Sequence, residues 1–142
     1  MKGVAGSTPI KTDRGYAPVD KLIPFTYENE QPRANRPLHA IQPFSESRIN
    51  RIADLGIQQT YLVKLENGAV IECTEGVKFM GMSFWRTLGL DLFVGDEVCL
   101  TDDKYTRVAK IEKWSDDIHV YGVDVEGDSG IIGANGIWIK VA

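Results

Sequence analysis

The strongest constraint on the fold is a hairpin signal in the middle of the chain. Residues 60–65 (TYLVKL) and 69–74 (AVIECT) both read as strands of alternating character. Between them lies Asn67-Gly68, a pair whose members both tolerate the positive φ of a type I′ turn. Alternation with a period of two is typical of strands and not of helices. We therefore predict an antiparallel hairpin here, closed by the Asn-Gly pair.

Similar short runs recur along the chain, separated by glycines and prolines. Further strands are predicted at 9–12, 49–55, 97–100, 106–113, 119–125, 131–132 and 137–141. Helical signal is sparse: a short helix is predicted at 82–90, with Phe84, Trp85 and Leu88 on one face, and a single turn at 19–22. Residues 28–48 are rich in Pro, Asn, Gln and Arg, which predicts an exposed loop. Many short strands with frequent turns indicate an all-β domain spanning 1–142.

Composition narrows the classes of function. The chain has 142 residues, 43% of them apolar, so we expect one domain with a real core. A net charge of −4 opposes capture of nucleic acid or of an anionic membrane. Two cysteines, Cys73 and Cys99, form neither a disulfide framework nor a zinc motif and are expected in the core. We expect a cytoplasmic monomer without cofactor, metal, nucleic acid or membrane partner.

Three blocks of sequence then follow one another in a distinctive order. The first is VAGSTPIKTDRGYAPVDKL at 4–22. The second is INRIADLGIQQTYLVKLENGAVIECTEGVKF at 49–79, which contains the run G-x-Q-x-x-Y-x-V-x-L-x-x-G-x-x-I-x-x-T and is followed by Trp85 and by DLFVGDEV at 91–98. The last is VYGVDVEGDSGIIGANGIWIKVA at 120–142. In these blocks, which are distributed along the chain from residue 4 to residue 142, the sequence resembles inteins and hedgehog-type (Hint) domains.

The resemblance implies both a fold and an activity. The fold is the all-β Hint horseshoe of bent antiparallel strands, with two pseudo-symmetric halves and both termini in one cleft. The activity is autocatalytic protein splicing on flanking extein segments in cis, by an N-to-O or N-to-S acyl shift, transesterification and Asn cyclisation. The interval between the second and last blocks is too short for a homing endonuclease. The resemblance is therefore to a mini-intein, for which a phage replication protein such as a DNA polymerase is the expected host.

In the family, a Thr-x-x-His motif holds the scissile amide and protonates the leaving nitrogen. Thr74 occupies the Thr position, although an ordinary threonine at the end of a hairpin has the same appearance. The His position falls on Val77, whose side chain carries no proton. Lys78 is adjacent and could place an ammonium nearby, or could be a solvated surface lysine. Strain in the scissile peptide is one way to compensate for the missing imidazole.

The splice junctions themselves lack reactive groups. Counting back from Thr8 places the nucleophile at Gly3, and a loop one residue shorter places it at Val4. At the other end, Ala142 stands where an intein has Asn, and Val141 stands where many have His. Deliberate inactivation that traps a precursor, or natural decay, would each produce this pattern.

The closing block offers weaker candidates. Its acidic slot falls on Gly122, and the nearest carboxylate is Asp124, which lies on the same face of a strand two residues later and either acts nearby or is solvent-exposed. Its His slot falls near Asp128 or Ser129. Of the two histidines, His119 precedes the last strand of the block and is a possible contributor to the site. Asn135 and Gly136 are expected to form a turn.

Two other classes of function stay open at this stage. One is a naturally degenerate Hint-like domain that serves as a structural or interaction module. The other is a nucleic-acid-binding β-barrel, for which Arg33, Arg36, Arg48 and Arg51 gather around one predicted loop. The net negative charge of the chain argues against the nucleic-acid-binding β-barrel.

Overall fold

The computed structural model describes residues 2–29, 37–127 and 129–141, and within these ranges the fold is built from β-strands. Two single 3-10 turns, Val19–Lys21 and Ile23–Phe25, are the helical elements described there, and the first confirms the predicted turn at 19–22. The strands are β1 (Val4–Ala5), β2 (Pro9–Thr12), β3 (Gly15–Pro18), β4 (His39–Gln42), β5 (Ser45–Gln58), β6 (Tyr61–Leu65), β7 (Val70–Cys73), β8 (Lys78–Met80), β9 (Trp85–Thr87), β10 (Glu97–Cys99), β11 (Tyr105–Lys113), β12 (Ile118–Val125), β13 (Ile131–Ala134) and β14 (Ile137–Lys140). The all-β prediction is confirmed.

The described strands form one antiparallel sheet that curls back on itself. Along the sheet the order is β10-β11-β6-β7-β1-β12-β5-β4-β2-β13-β14-β8-β9, with β3 paired to β2. Leu100, just after β10 at one end of this path, bridges to Ile137 of β14 near the other end. The two ends of the sheet therefore approach each other, which gives the curved horseshoe expected from the sequence.

Strand β5 joins the two arms of the horseshoe. Its first residues, Ser45 to Arg48, pair with β4, and the stretch from Ile49 to Gln58 pairs with β12. The apolar side chains that point inside the curl form one core. Its largest fully buried members are Phe79, Ile10, Ile49, Leu65, Ile71, Ile132, Ile137 and Ile139.

The hairpin at 60–74 is confirmed, but its turn differs from the predicted one. Of the central pair, only Gly68 has a positive φ, 91°. Leu65 N–H donates to the carbonyl of Ala69, and Gly68 N–H donates to the carbonyl of Leu65. Glu66, Asn67 and Gly68 thus form a three-residue loop with glycine at its left-handed position, the next most common way to close a hairpin.

The type I′ geometry occurs instead at the second Asn-Gly pair. Asn135 and Gly136 have φ values of 48° and 83°, and they separate the paired residues Ala134 and Ile137. The prediction of a turn at these residues is confirmed.

The predicted helix at 82–90 is wrong, because this segment contains part of the turn of the β8–β9 hairpin and the strand β9. Gly81 N–H donates to the carbonyl of Phe84, and a Cβ at Gly81 would lie 2.6 Å from that oxygen, so only glycine fits the turn. Met82 and Phe84 are exposed at the tip while Leu88 is buried. Burial here follows the hairpin and not a helical face.

The predicted loop at 28–48 is wrong from residue 39 onward, and residues 30–36 lie outside the described part of the chain. β4 and the start of β5 form a hairpin whose turn contains Pro43. The alternation in β4 is obscured because one of its two buried positions is Gln42, a polar residue.

Candidate functional site

The candidate site is organised around the contact between Thr74 and Gly3. Thr74 is buried directly after β7, where the chain leaves the sheet. Gly3 N–H donates to Oγ1 of Thr74 at 3.0 Å, and Thr74 N–H donates to the carbonyl of Gly3 at 3.0 Å. A third contact, from the Thr74 hydroxyl to the Gly3 carbonyl, measures 3.5 Å. The threonine therefore holds both polar backbone groups of Gly3.

Strand β1 supplies the register for this contact. Val4 lies opposite Cys73 of β7 on one side and opposite Tyr121 of β12 on the other. Its side chain is fully buried in the core. Because β1 is a central strand of only two residues, pairing on both sides positions Gly3 beside the end of β7.

The described ends of the chain share one cleft of about 370 Å³. Lys2 and Val141 both line it, together with Gly122 and Asp124 of β12. Pairing of β14 with β8, in which Ile139 lies opposite Phe79, places Val141 there. The two described ends thus meet in this cleft, and Gly3, which follows Lys2, contacts Thr74. Ala142 lies outside the described residues.

Asp124 stands at the rim of this cleft. It is exposed and lies opposite Arg51 in the β12–β5 pair, and both side chains line the cleft. Arg51 also lies 3.9 Å from a carboxylate oxygen of Glu28. Gly122, in the slot where the family often has an acid, lies opposite Ala53. A carboxylate is present in the cleft, two residues from the expected slot.

Val77, at the expected imidazole position, and the adjacent Lys78 lie in different environments. Val77 is fully buried among core side chains, and its N–H lies 3.5 Å from the carbonyl of Thr74. Lys78 is half-buried on β8, opposite Thr87 on one side and Lys140 on the other. The lining of the end cleft includes neither residue.

Both histidine side chains make their contacts outside the end cleft. His119 Nδ1 lies 2.9 Å and 3.1 Å from the two carboxylate oxygens of Asp54, on the exposed side of β12 and β5. This contact, reinforced by Gly56 N–H, lowers the pKa of Asp54 below its usual value. His39 Nδ1 contacts the carbonyl of Pro37 at 2.8 Å. The end cleft contains neither imidazole.

Ser129 is held by a residue that the sequence did not single out. Gln42 is 7% exposed, and its Nε2 donates to Oγ of Ser129 and to the carbonyl of Ile131, both at 2.9 Å. Its Oε1 accepts hydrogen bonds from Ser45 and Ser47. The amide is fully bonded, so Ser129 belongs to a structural network beside β4. The sequence feature that could have identified Gln42 is a polar residue at a buried position of an alternating run. Asp128, the other residue predicted for this slot, lies outside the described part of the chain.

The other candidate nucleophiles and charged groups are buried or make structural contacts. Burial raises the pKa of the Cys73 thiol far above its ordinary value, which confirms its assignment to the core, while Cys99 is only half-buried. Arg48 stacks 3.7 Å from the centre of the Tyr27 ring and lies 3.9 Å from Glu126. Arg33 and Arg36 lie outside the described residues.

Across 2–29, 37–127 and 129–141, no group of three or more His, Cys, Asp and Glu side chains could hold a metal ion. Within the same ranges, no helix is long and apolar enough to cross a membrane.

The fold and the site together define a class: an all-β horseshoe in which Lys2 and Val141 line one cleft and Gly3 contacts a buried threonine. Solved inteins have a similar fold. The gp41-1 intein matches with a TM-score of 0.79 at 16% identity over 99% of this chain and 98% of its own. A DnaB intein from Synechocystis sp. PCC 6803 matches with a TM-score of 0.80 at 16% identity, and the G-1F mutant of Ssp DnaB mini-intein variant M86 matches with 0.81 at 15%; each match covers 100% of this chain and 99% of the other.

The chain therefore has the intein fold, and the predicted Hint horseshoe is confirmed. No protein-family model matches the sequence, and no curated protein sequence matches it either.

Proposed function

We propose that this chain is a protein-splicing domain of the intein type whose junctions lack reactive groups, so that it resembles an unreacted precursor. The observation that carries the proposal is the pair of hydrogen bonds between Gly3 and Thr74, next to a cleft that Lys2 and Val141 both line. Splicing requires two junctions to exchange an acyl group, which becomes rapid only when both are held within a few ångströms.

The geometry supports specific roles at the first junction. The bond to be cut joins Lys2 to Gly3, and its nitrogen belongs to the N–H that Thr74 binds. Thr74 thereby fixes the orientation of the leaving nitrogen. The group at position 3 would attack the carbonyl of Lys2, and no side chain is present there to do so. The flanking segments in cis are the expected substrates, and no cofactor is required.

The remaining predicted residues take weaker roles in this proposal. Asp124 is the carboxylate best placed to act on the second junction, because it lines the cleft with Val141. Three other residues lie at or beside positions of the family's motifs, but their side chains have structural roles. Val77 lies in the core, Lys78 lies on β8, and Ser129 belongs to the Gln42 network. We expect Val141 and Ala142 to be the last residues before the second flank.

The test restores the missing groups between two tag proteins. Gly3→Cys and Ala142→Asn are introduced together, with a cysteine as the first residue of the second tag. We expect ligated tags, seen by gel and by mass spectrometry, from the restored protein and none from the parent. The matched control adds Thr74→Ala, which should reduce the yield strongly because the scissile N–H loses its acceptor. Unreacted precursor in every junction context would contradict the proposal.

A second candidate is the degenerate Hint-like module, which would hold two flanking segments together and cut neither. The observation that favours it is Val77, whose burial fills the expected imidazole position with core packing. Val77→His in the restored protein distinguishes the two readings. An increase in ligated product supports splicing, whereas a folded protein that gives no product supports the structural module.

The identity of the host remains a prediction. We expect a phage replication protein such as a DNA polymerase, and a cytoplasmic monomer as the working form. The sequence that flanks this chain in its gene would test the expected host. The molar mass measured by light scattering would test the expected monomer.

A further inference from the structure

Gly3 lies unusually close to the backbone of β12. A Cβ built on Gly3 would lie 2.7 Å from the carbonyl oxygen of Tyr121, 2.9 Å from its carbonyl carbon and 3.1 Å from Cδ1 of Leu55. Two of these three atoms belong to the backbone, which no rotamer change can move. Any side chain at position 3 therefore requires one strand to shift.

Gly122, the glycine that lines the end cleft, shows no such crowding. A Cβ on Gly122 would lie 3.4 Å from Cδ1 of Leu55 and 3.6 Å from the carbonyl oxygen of Lys2, which are ordinary contact distances. The close approach is thus a property of position 3 and not of the cleft as a whole.

Neither strand is free to give way on its own. Tyr121 is paired with Val4 on one side and with Asp54 on the other, so β12 is fixed between two neighbours. Gly3 is held from the opposite side by its two hydrogen bonds with Thr74. Relief of the contact therefore means separating β1 from β12.

We infer that the Tyr121 carbonyl excludes every side chain from position 3 while β1 is docked, so that glycine is required there by the fold. This rests on the structure alone. Combined with the proposed function, it implies that a nucleophile restored at position 3 acts only when β1 undocks from β12. Reaction at this junction is then limited by a local opening of the sheet.

The reactive step has a simple balance. The thiolate introduced by Gly3→Cys attacks the carbonyl carbon of Lys2, the C–N bond to residue 3 breaks, and a thioester forms. The proton released by the thiol ends on the freed amine. An added small thiol then takes the acyl group by exchange and releases the upstream segment.

The first measurement compares Gly3→Ala with Gly122→Ala by thermal unfolding. We expect Gly3→Ala to lower Tm by about 5–10 °C, because overpacking against fixed backbone is costly, and Gly122→Ala to shift it by about 2 °C or less. If Gly3→Ala does not fold in buffer alone, both variants are compared in an excluded osmolyte that favours the compact state. Equal Tm values would overturn the inference.

The second measurement follows thiol-induced cleavage after residue 2 in the Gly3→Cys protein carrying an upstream tag. Val4→Ala weakens the docking of β1, and Val63→Ala removes the same methyl groups from a buried valine of β6. We expect Val4→Ala to raise the cleavage rate about tenfold and Val63→Ala to leave it unchanged. Equal rates in the two double variants would overturn the requirement for undocking.

The two measurements separate the possible failures. A costly Gly3→Ala with no cleavage in any cysteine variant supports the closed position and contradicts the splicing function. A neutral Gly3→Ala with ready cleavage overturns the closed position and supports splicing.

Discussion

Thr74 contributes to the junction through its backbone and its side chain at once. Its N–H binds the carbonyl of Gly3, and its hydroxyl accepts from the N–H of the same residue. Both contacts are buried, where an unsatisfied N–H is expensive. An ordinary threonine at the end of a strand needs neither bond, so this pairing distinguishes Thr74 from a residue chosen only for strand propensity.

Removal of this hydroxyl should destabilise the N-terminal strand. We expect Thr74→Ala to cost about 1–3 kcal/mol of unfolding free energy, because Gly3 N–H loses its acceptor in a buried site. Thr74→Ser keeps the hydroxyl and should recover most of the loss. Urea unfolding of the three proteins measures the difference, and equal losses for the two variants would contradict the assigned hydrogen bond.

The Asp54–His119 pair should make stability depend on acid. Because the pKa of Asp54 is lowered in the folded protein, its contribution is present above the ordinary carboxyl range, near pH 4, and is lost as the pH falls through the lowered value. Asp54→Asn should remove this contribution. Urea midpoints of parent and variant should differ above the ordinary carboxyl range and converge as the pH falls through the lowered pKa of Asp54; parallel curves would contradict the assignment.

At the scale of elements, the Asn135-Gly136 turn joins two parts of the sheet. The Asn135 side chain donates to the carbonyl of Val70 at 2.7 Å, and its N–H donates to the carbonyl of Pro9 at 2.8 Å. The turn between β13 and β14 is thereby fastened to β7, which belongs to the opposite stretch of the sheet path.

Two substitutions separate the conformational role of Asn135 from its side-chain bond. Asn135→Gly keeps the left-handed backbone but removes the bond to Val70, and should cost about 1 kcal/mol. Asn135→Ala also places a side chain that disfavours this φ, and should cost about 1 kcal/mol more. Chemical unfolding measures both. If alanine is no worse than glycine, backbone conformation does not limit the turn.

Strand positions were predictable where apolar and polar residues alternate strongly, as in β6, β7, β11 and β12. Prediction failed where tertiary contacts replace that signal. β4 has a bonded glutamine at a buried position, and β1 has only two residues, whose strand conformation depends on partners distant in sequence. The segment 82–90 contains enough large apolar residues for a helical face, and only the close approach at Gly81 identifies it as a hairpin.

The same limit applies to the site. The resemblance in block order and spacing led to Thr74 and to the expectation that the two chain ends lie in one cleft. The crowding of Gly3 by Tyr121 depends on a backbone atom, which carries no residue-specific signal. The role of Ser129 depended on Gln42, 87 positions away in sequence, which local patterns cannot connect.

At the scale of the whole molecule, the described chain ends meet, so the order in which the strands are connected can change without a change in the sheet that they form. We expect a circular permutant, with about five residues joining Val141 to Lys2 and new ends between Asn67 and Gly68, to fold with a similar Tm. The exposed loop there carries few tertiary contacts. Circular dichroism and thermal unfolding measure the result.

The matched control opens the chain inside β12, between Val123 and Asp124, where the pairs with Ile52 and Arg51 join β12 to β5. This second permutant should unfold at a much lower temperature or fail to fold. Similar Tm values for the two permutants would contradict the assigned architecture.

The two-residue strand β1 has a consequence for synthesis. Of the described strands it is translated first, yet both strands that enclose it, β7 and β12, are translated later, and β12 ends at residue 125. Its pairing with β7 can form once residue 73 has emerged, but its place between two partners cannot exist until most of the domain has emerged. The nascent domain must therefore carry its first strand without its second partner for nearly the entire time of translation, and any upstream protein is tethered to an unfinished domain throughout that interval.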